Sequence, residues 1–499
     1  MRSNHKVLLI EPPYYRLYKA SYSLSRYPLS LGYLAGTIKE KTNWDVMVYN
    51  ADFSPKDETI ETTYLTGVGF KNYLKNLDHL SSPVWEEIRN AIVEYKPTVI
   101  GISSKSQNFR SSCIIAKLAK EINSKIIVIM GGPHPSMVGG DILKDPNIDI
   151  AVKGEGELTI IELLNAIDKQ ETFDEVKGII YRNGSQVVEN PPREYITDLD
   201  SLCFPHQYAS GVLKDYDQYP KSAFENIFAT RGCPYNCFFC GSRNIWSKKT
   251  RFRSAMNVIN EIKSLQQMGI NYIHFDDDTF GINKEYINQL CNSILKNCPG
   301  LKWSCEIHVN LVDEQIIALM KKAGCHSIQV GIESGNNEML KKIRKGITIE
   351  KAISATNIIN KYGIALSAFF IVGFPEETEE TLNDTMKAME KVNGNLIYSI
   401  FTPYPGTEAF QFCKEMRLIE TNYDVSLYNH QSPENCFCMN LTKEQFRTIA
   451  SRIEIFVDRH NKNQRLEQIL SPNMVIGYIK KFGIIYCLKR YISDVIPKR

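Results

Sequence analysis

Three cysteines carry the most specific chemistry in this chain: Arg231-Gly-Cys233-Pro-Tyr-Asn-Cys237-Phe-Phe-Cys240-Gly241, a CxxxCxxC spacing. Thiolates set this close together bind iron or zinc. A 4Fe–4S cluster is ordinarily held by four cysteines, so a loop with three leaves one iron open to a small molecule. A structural zinc site is the alternative; it takes four Cys or His ligands, and Cys203 and His206 are the residues that would complete it. The chain has 13 cysteines and no secretory pattern at its start, which favours reduced thiols and metal ligation over disulfides. The other close pair, Cys436-Phe-Cys438, is a weaker metal candidate, and the scattered cysteines read as small core residues.

The three-cysteine spacing resembles the radical S-adenosylmethionine (radical SAM) superfamily, where the open iron chelates the amine and carboxylate of SAM. The resemblance implies Cys233, Cys237 and Cys240 as ligands of a low-potential cluster, with Phe239 packed near the adenine of SAM. Gly241 would let the backbone approach the cluster or SAM. Further family segments follow in order. In His274-Phe-Asp276-Asp277-Asp278-Thr-Phe280, Asp277 is the implied acceptor for the SAM ammonium, and the triplet could equally cap the next helix. In Trp303-Ser-Cys-Glu306-Ile-His308-Val-Asn310, the family usually has arginine where this chain has His308. Histidine is shorter and only partly charged at neutral pH, so Glu306 is the implied contact there. Gln329-Val-Gly331-Ile-Glu333-Ser334-Gly335 places Glu333 at the SAM amine or ribose, and Phe370-Ile-Val-Gly373-Phe374-Pro375 places Gly373 beside adenine. Tyr404-Pro-Gly406-Thr-Glu408 closes the series.

These residues need strands to carry them. From about residue 226, apolar strands alternate with helical stretches: Ile227–Thr230, Tyr272–Phe275, Trp303–His308, Ser327–Gly331, Leu366–Val372 and Leu396–Phe401. That suits a partial (β/α)6 barrel with its chemistry at the carboxyl ends of the strands. Ahead of it, residues 1–190 also alternate, with strands at Val7–Ile10, Val46–Tyr49, Val99–Ser103, Ile126–Met130 and Ile148–Val152. Continuous apolar strands between helices predict a doubly wound, Rossmann-like parallel sheet, with a ligand over the strands' carboxyl ends. The expected organisation is therefore α/β: 1–190, a 191–225 linker rich in proline and short polar turns, a 226–410 barrel, and a small, mostly helical 411–499 region.

No GxGxxG follows the first strand, so a dinucleotide is not expected. The loops instead resemble the cobalamin-binding domain that precedes many radical SAM barrels: Glu11-Pro-Pro-Tyr-Tyr-Arg16, Pro28-Leu-Ser-Leu31-Gly32, Gly131-Gly-Pro-His-Pro135 and Gly154-Glu-Gly-Glu157. The implied cobalamin contacts are Pro13, Leu31, Gly32, Ser103, Ser104, Gly131, Gly132, His134, Gly154 and Glu155. The DxHxxG that supplies cobalt with a histidine is absent, so base-off cobalamin without a lower histidine is expected. His134 is either a ligand or a group bonded to its own loop, and the second reading is favoured.

The resemblance implies reductive cleavage of SAM to a 5′-deoxyadenosyl radical, hydrogen abstraction from an unactivated carbon, and methyl transfer from methylcobalamin. The alternatives are a non-methylating oxidative cyclase or rearrangement enzyme, resembling the anaerobic Mg-protoporphyrin monomethyl ester cyclases, and a non-catalytic cobalamin sensor. Implied partners are a small-molecule, peptide or lipid substrate and an external electron donor of flavodoxin or ferredoxin type. A net charge of +3 gives no reason to expect nucleic acid. No run of about 18 apolar residues predicts a membrane span. A cytoplasmic, low-oxygen setting is expected. The basic amphipathic stretch Met474–Arg499 reads as a helix packed on the barrel, or as a peripheral membrane contact.

Overall fold

The computed structural model describes residues 5–470 except 56, 57, 59, 61–64, 66, 247, 421, 422, 431 and 433, with main chain only for 466–470. The segment Met474–Arg499 lies outside the described residues. Two sheets organise the chain. The first contains β1 (Lys6–Glu11), β2 (Asp45–Asn50), β3 (Val99–Ser103), β4 (Ile127–Gly131), β5 (Ile150–Val152), β6 (Ile179–Asn183) and β7 (Gln186–Glu189), in the order β2-β1-β3-β4-β5-β6-β7. β1 to β5 pair in parallel, as their unbroken apolar runs require. The order reverses between β1 and β3, which opens a crevice at their carboxyl ends. The β6–β7 hairpin is an antiparallel edge that the strand–helix alternation did not predict. Its two-residue loop, Gly184-Ser185 with Gly184 at φ +60°, is the signal that could have found it.

The second sheet contains β8 (Asn226–Ile227), β11 (Tyr272–Phe280), β12 (Lys302–Ile307), β13 (Cys325–Glu333), β14 (Ala365–Val372) and β15 (Asn395–Ile400), neighbours in that order and all parallel. Between β8 and β11, β9 (Thr230–Arg231) and β10 (Arg251–Phe252) form a small antiparallel pair. This is the expected open, six-stranded barrel. One strand differs: β11 runs on to Phe280 with a register break after Phe275, so Asp276–Asp278 lie inside a strand. The following helix, Lys284–Asn297, is capped by Asn283, whose side chain accepts the Tyr286 N–H. The aspartate triplet therefore does not cap it.

The stretch read as a linker is folded onto both halves. Helix Pro205–Val212 packs on helix Leu29–Lys41, and Val212, Leu213, Phe224 and Ile227 join one apolar core running from the first sheet into the barrel. The other face of the first sheet has its own core around Leu8, Ile100 and Val128. At the end of the described chain, helix Lys443–Leu470 covers β15. Among the described residues no helix is long and apolar enough to cross a membrane.

Candidate cofactor sites

The cysteine loop springs from β9 through Gly232, at φ +101°. Asp277 sets its start: one carboxylate oxygen accepts the Ala229 N–H and the other the Thr230 hydroxyl, both at 2.7 Å. Burial pushes this carboxyl up to about 7. The residue expected at the SAM ammonium is thus occupied in holding the strand that enters the loop. The loop's middle is bolted to the barrel. The Phe238 N–H donates to Ile343 O at 2.9 Å, the Ala409 N–H donates to Phe238 O at 3.2 Å, and Tyr235 stacks on His308 at 3.7 Å between ring centroids. Phe239 lies 5.7 Å from the ring of Phe374, on the turn that carries Gly373.

All twelve described cysteines are free thiols. Cys233 Sγ sits 3.4 Å from the Thr279 hydroxyl, and Cys240 Sγ accepts the Ser242 N–H at 3.4 Å. Burial raises the Cys237 thiol, with the nearby Lys345 ammonium opposing it, and pushes Cys240 to about 11. Three thiols on one loop suit an iron–sulfur cube, which spreads its ligands around several metals. They do not form a zinc tetrahedron. Among the described residues no group of three or more His, Cys, Asp or Glu side chains converges on a single-ion position. Cys203 points at Tyr33 O and His206 faces Glu261, so neither completes the loop. Cys436 and Cys438 likewise gather no further ligands among the described residues.

Carboxylates line the barrel mouth beside the loop. Asp276 pairs with Arg26, which reaches over from the N-terminal half. Asp278 faces the cysteine loop: burial raises its carboxyl, with hydrogen bonds from Ser242 and the Gly232 main chain opposing. Glu306 makes no hydrogen bond or ion pair among the described residues. Burial, then Asp276 and Asp278, push its carboxyl to about 7. An unpaired carboxyl with a raised pKa in a cleft is a binding candidate. Glu333, at the end of β13, pairs with Lys345 at 2.7 Å. His308 is not the cation an arginine would be. Its Nδ1 accepts the Asn310 N–H, its Nε2 faces Lys345 O at 3.2 Å, and burial lowers its pKa to about 3. Gly373, at φ +93°, turns against Phe446, whose Cζ would lie 2.7 Å from an added Cβ. The Gly373 and Phe374 N–H groups both donate to Glu377. Burial raises this carboxyl to about 8. The sequence reading missed Glu377; a carboxylate four residues after a turn glycine was its only signal.

A cavity of about 240 Å³ opens over the carboxyl ends of β1, β3, β4 and β5. Leu31, Ser103, Gly131, Gly132, Gly154 and Glu155 line it. Gly132 at φ +103° and Gly154 at φ +75° give a backbone cradle that larger residues would fill, and the rest of the floor is mostly apolar. That fits a flat, uncharged heterocyclic group and hence a base-off cobalamin tail. Pro13, Gly32, Ser104 and His134 do not line this cavity. Gly32 instead admits Tyr27, whose hydroxyl would lie 2.6 Å from a Cβ. Ser104 accepts the Ser112 hydroxyl and, through its carbonyl, the His134 N–H. His134 Nδ1 meets Ser106 Oγ at 2.9 Å and its ring packs on Phe109, while burial lowers its pKa to about 4. A wider cleft of about 660 Å³ beside Arg16, Tyr49, Glu87 and Lys214 contains none of the expected residues.

The two sites share a wall. Phe228, Arg231, Ile245 and Trp246, which bracket the cysteine loop, close the cavity from the barrel side. Arg231 donates to Glu155 at 2.7 Å and to Glu157 at 2.6 Å, and Arg251 donates to both oxygens of Glu155. The Ile196 N–H also donates to Glu155. Glu155 therefore lines the cavity while its charge is committed to the barrel. Nearby, Met137 packs against both Gly241 and Gly406, where added Cβ atoms would lie 2.6 Å from its Sδ and 2.5 Å from its Cβ. Gly241 thus makes room for the N-terminal half, which the sequence reading did not foresee.

Comparison with known proteins agrees with this arrangement. The B12 binding domain family matches residues 15–164, and the Radical SAM superfamily matches residues 227–389. An uncharacterized methyltransferase of Pyrococcus horikoshii is 31% identical over 422 residues, covering 83% of this chain and 84% of its own. The anaerobic magnesium-protoporphyrin IX monomethyl ester cyclase of Rubrivivax gelatinosus is 29% identical, covering 70% of this chain and 63% of its own. The structure of the radical SAM methyltransferase TsrM from Kitasatospora setae, with tryptophan and a SAM analogue bound, superposes with a TM-score of 0.63 at 18% identity. That superposition covers 84% of this chain and 77% of TsrM, and at such identity it speaks for the fold alone.

Proposed function

Because the chain belongs to the family of radical SAM proteins that carry a B12-binding domain, we propose that it is a cobalamin-dependent radical C-methyltransferase. The observation that carries this reading is the shared wall. Arg231, Ile245 and Trp246 flank the cysteine loop on one side and line the B12-domain cavity on the other. When bound, a cluster held by three thiolates supplies the electron that cleaves SAM, and cobalamin supplies a transferable methyl group.

The chain's residues provide placement. Cys233, Cys237 and Cys240 are the cluster ligands. Phe239 and the Gly373 turn flank the adenine position. Glu306 and Glu333 are the acidic groups at the cationic end of SAM. Phe238 and Phe239, with Phe374 and Phe412 packed on them, keep water from the loop. Leu31, Ser103, Gly131, Gly132 and Gly154 form the cobalamin cradle. The substrate enters between the two halves, where Arg26 and the free Glu306 carboxyl meet it. A small one-electron carrier protein, flavodoxin- or ferredoxin-like, is the reductant, and we place the reaction in the cytoplasm.

The test is anaerobic reconstitution with iron, sulfide and cobalamin, then SAM and a strong reductant. 5′-Deoxyadenosine is expected, and its absence from cluster-loaded protein overturns the reading. The cyclase relative supports a second outcome at the same site. Product mass separates the two: methylation adds one carbon and cyclisation adds none.

A further inference from the structure

Parallel strands covered on both sides ordinarily carry apolar residues on both, and a closed barrel fills its interior with them. Here the face under the helices is apolar: Ile328, Val330, Leu366 and Ala368 are between 0% and 4% exposed. The alternate residues Ser327, Gln329 and Ser367 face the concave inner side and are only half-buried. Strand pairing sets the polar inner residues in two rows. One runs His274, Ser304, Ser327 across β11, β12 and β13. The other runs Glu306, Gln329, Ser367, Asn395 across β12 to β15. Ser304 Oγ accepts the Tyr272 hydroxyl at 2.8 Å and lies 2.7 Å from His274 Nδ1, which leaves His274 Nε2 without a partner among the described residues. The side chains of Ser327, Gln329, Ser367 and Asn395 likewise make no hydrogen bond among the described residues. The apolar members of the inner face gather on the other wall, where Phe369 of β14 pairs in register with Ile397 of β15.

Polar groups inside a fold are met by water or by a ligand, because leaving them bare costs free energy. Between Lys302 at the base of the sheet and Asp276 and Glu306 at its mouth, the inner face carries no carboxylate, lysine or arginine. Burial lowers the pKa of His274, so its imidazole is neutral there. Hydroxyl, amide and neutral imidazole groups each offer a donor and an acceptor, as a ligand hydroxyl does. An ionic ligand group would find no counter-charge, and an apolar one would strand the rows. A polyol or sugar suits both walls, with hydroxyls for the rows and a C–H face for Phe369. The rows lie deeper than the residues placed at SAM: Gln329 stands four residues before Glu333 on β13, and Ser367 six before Gly373 at the end of β14. The second row still begins at Glu306, the open carboxyl of the mouth. We propose that the barrel interior receives a neutral, hydroxyl-bearing part of the substrate, a polyol or sugar, held by Gln329 and Ser367 while the reacting carbon stays at the mouth. This rests on the reading of the chain as a radical C-methyltransferase.

The experiment incubates the cluster- and cobalamin-loaded full chain with SAM deuterated at its methyl group, a strong reductant and a protein-free extract of the source cells. Mass spectrometry finds the product by its deuterium, and transfer to D2O counts its exchangeable hydrogens. Several hydroxyl hydrogens are expected, in a part of the product that bears no charge. Dilution of the extract then gives an apparent KM. Q329L, at iron and cobalamin contents equal to wild type, should raise that KM about tenfold and change kcat little, the split that lost binding produces. A labelled product without hydroxyls overturns the proposal, and so does a Q329L protein with the wild-type KM. Should Q329L fail to load iron, S367A takes its place under the same criteria. Failure of both variants to hold a cluster assigns the rows to barrel stability alone and also overturns it. A wild-type protein that forms 5′-deoxyadenosine but labels nothing sinks the methyl-transfer reading itself, a distinct outcome.

Discussion

Replacing Cys233, Cys237 or Cys240 by serine leaves two thiolates where the loop offers three. Each variant is expected to lose most of its iron and all detectable 5′-deoxyadenosine while keeping its circular dichroism, as iron analysis and chromatography will show. Serine at Cys436 or Cys438 should do neither, since no ligand set forms there among the described residues. Glu306 makes a pH prediction. Its carboxyl is raised to about 7 by burial and by Asp276 and Asp278, with Arg26 opposing. Its carboxylate form therefore grows from pH 6 to 8 by about tenfold, while an α-ammonium of pKa about 8 falls only to about half charged. SAM affinity should rise roughly threefold to tenfold over that interval. E306Q should flatten the rise. An unchanged profile would remove Glu306 from the site.

The elements that meet at Met137 allow a sharper contrast. Gly241 has an ordinary helical backbone, and only the far end of the Met137 side chain crowds it. Gly406 is at φ +86°, and it is crowded by Met137 Cβ and by the Met137 carbonyl at 2.7 Å. G241A should therefore destabilise the protein and be largely rescued by Met137→Ala. G406A should cost about 2 kcal/mol or more and resist that rescue, because strained backbone and main-chain atoms remain. Denaturant titration of the four variants and the wild type decides this. The same comparison explains the motifs. Both glycines look like cofactor glycines in sequence, yet each admits another strand–helix loop.

At the scale of the whole molecule, a buried ionic junction joins the halves. Glu155 and Glu157 follow β5, and Arg231 and Arg251 come from the small β9–β10 pair that launches the cysteine loop. All four side chains are less than one-tenth exposed. E155Q leaves two arginines short of an anion and should cost about 3 kcal/mol, read as a lower denaturation midpoint. It should also reduce iron retention, since Arg231 stands two residues before Cys233. A normal midpoint with normal iron content would show that the halves are held by apolar contacts alone. The segment between β15 and the final helix adds lighter ties: Asn429 donates to the Tyr18 hydroxyl, and Arg110 lies 3.4 Å from Asp424.

What the sequence determined by itself was whatever depends on near neighbours in the chain. The cysteine spacing, the apolar runs of the parallel strands and the order of the loops at their ends are local patterns, and the two sheets reproduce them. The β6–β7 hairpin and the extension of β11 were less legible, because a bulge and a two-residue turn leave little periodicity to read. Tertiary structure alone decided how charge is spent. Asp277 answers Ala229 across 48 residues, and Glu155 answers Arg231 across 76. Burial keeps His308 uncharged, and Lys345 emerges as a buried cation. A carboxylate's sequence position specifies its chemistry, but its partner is set by which distant backbone or guanidinium the fold brings within about 3 Å.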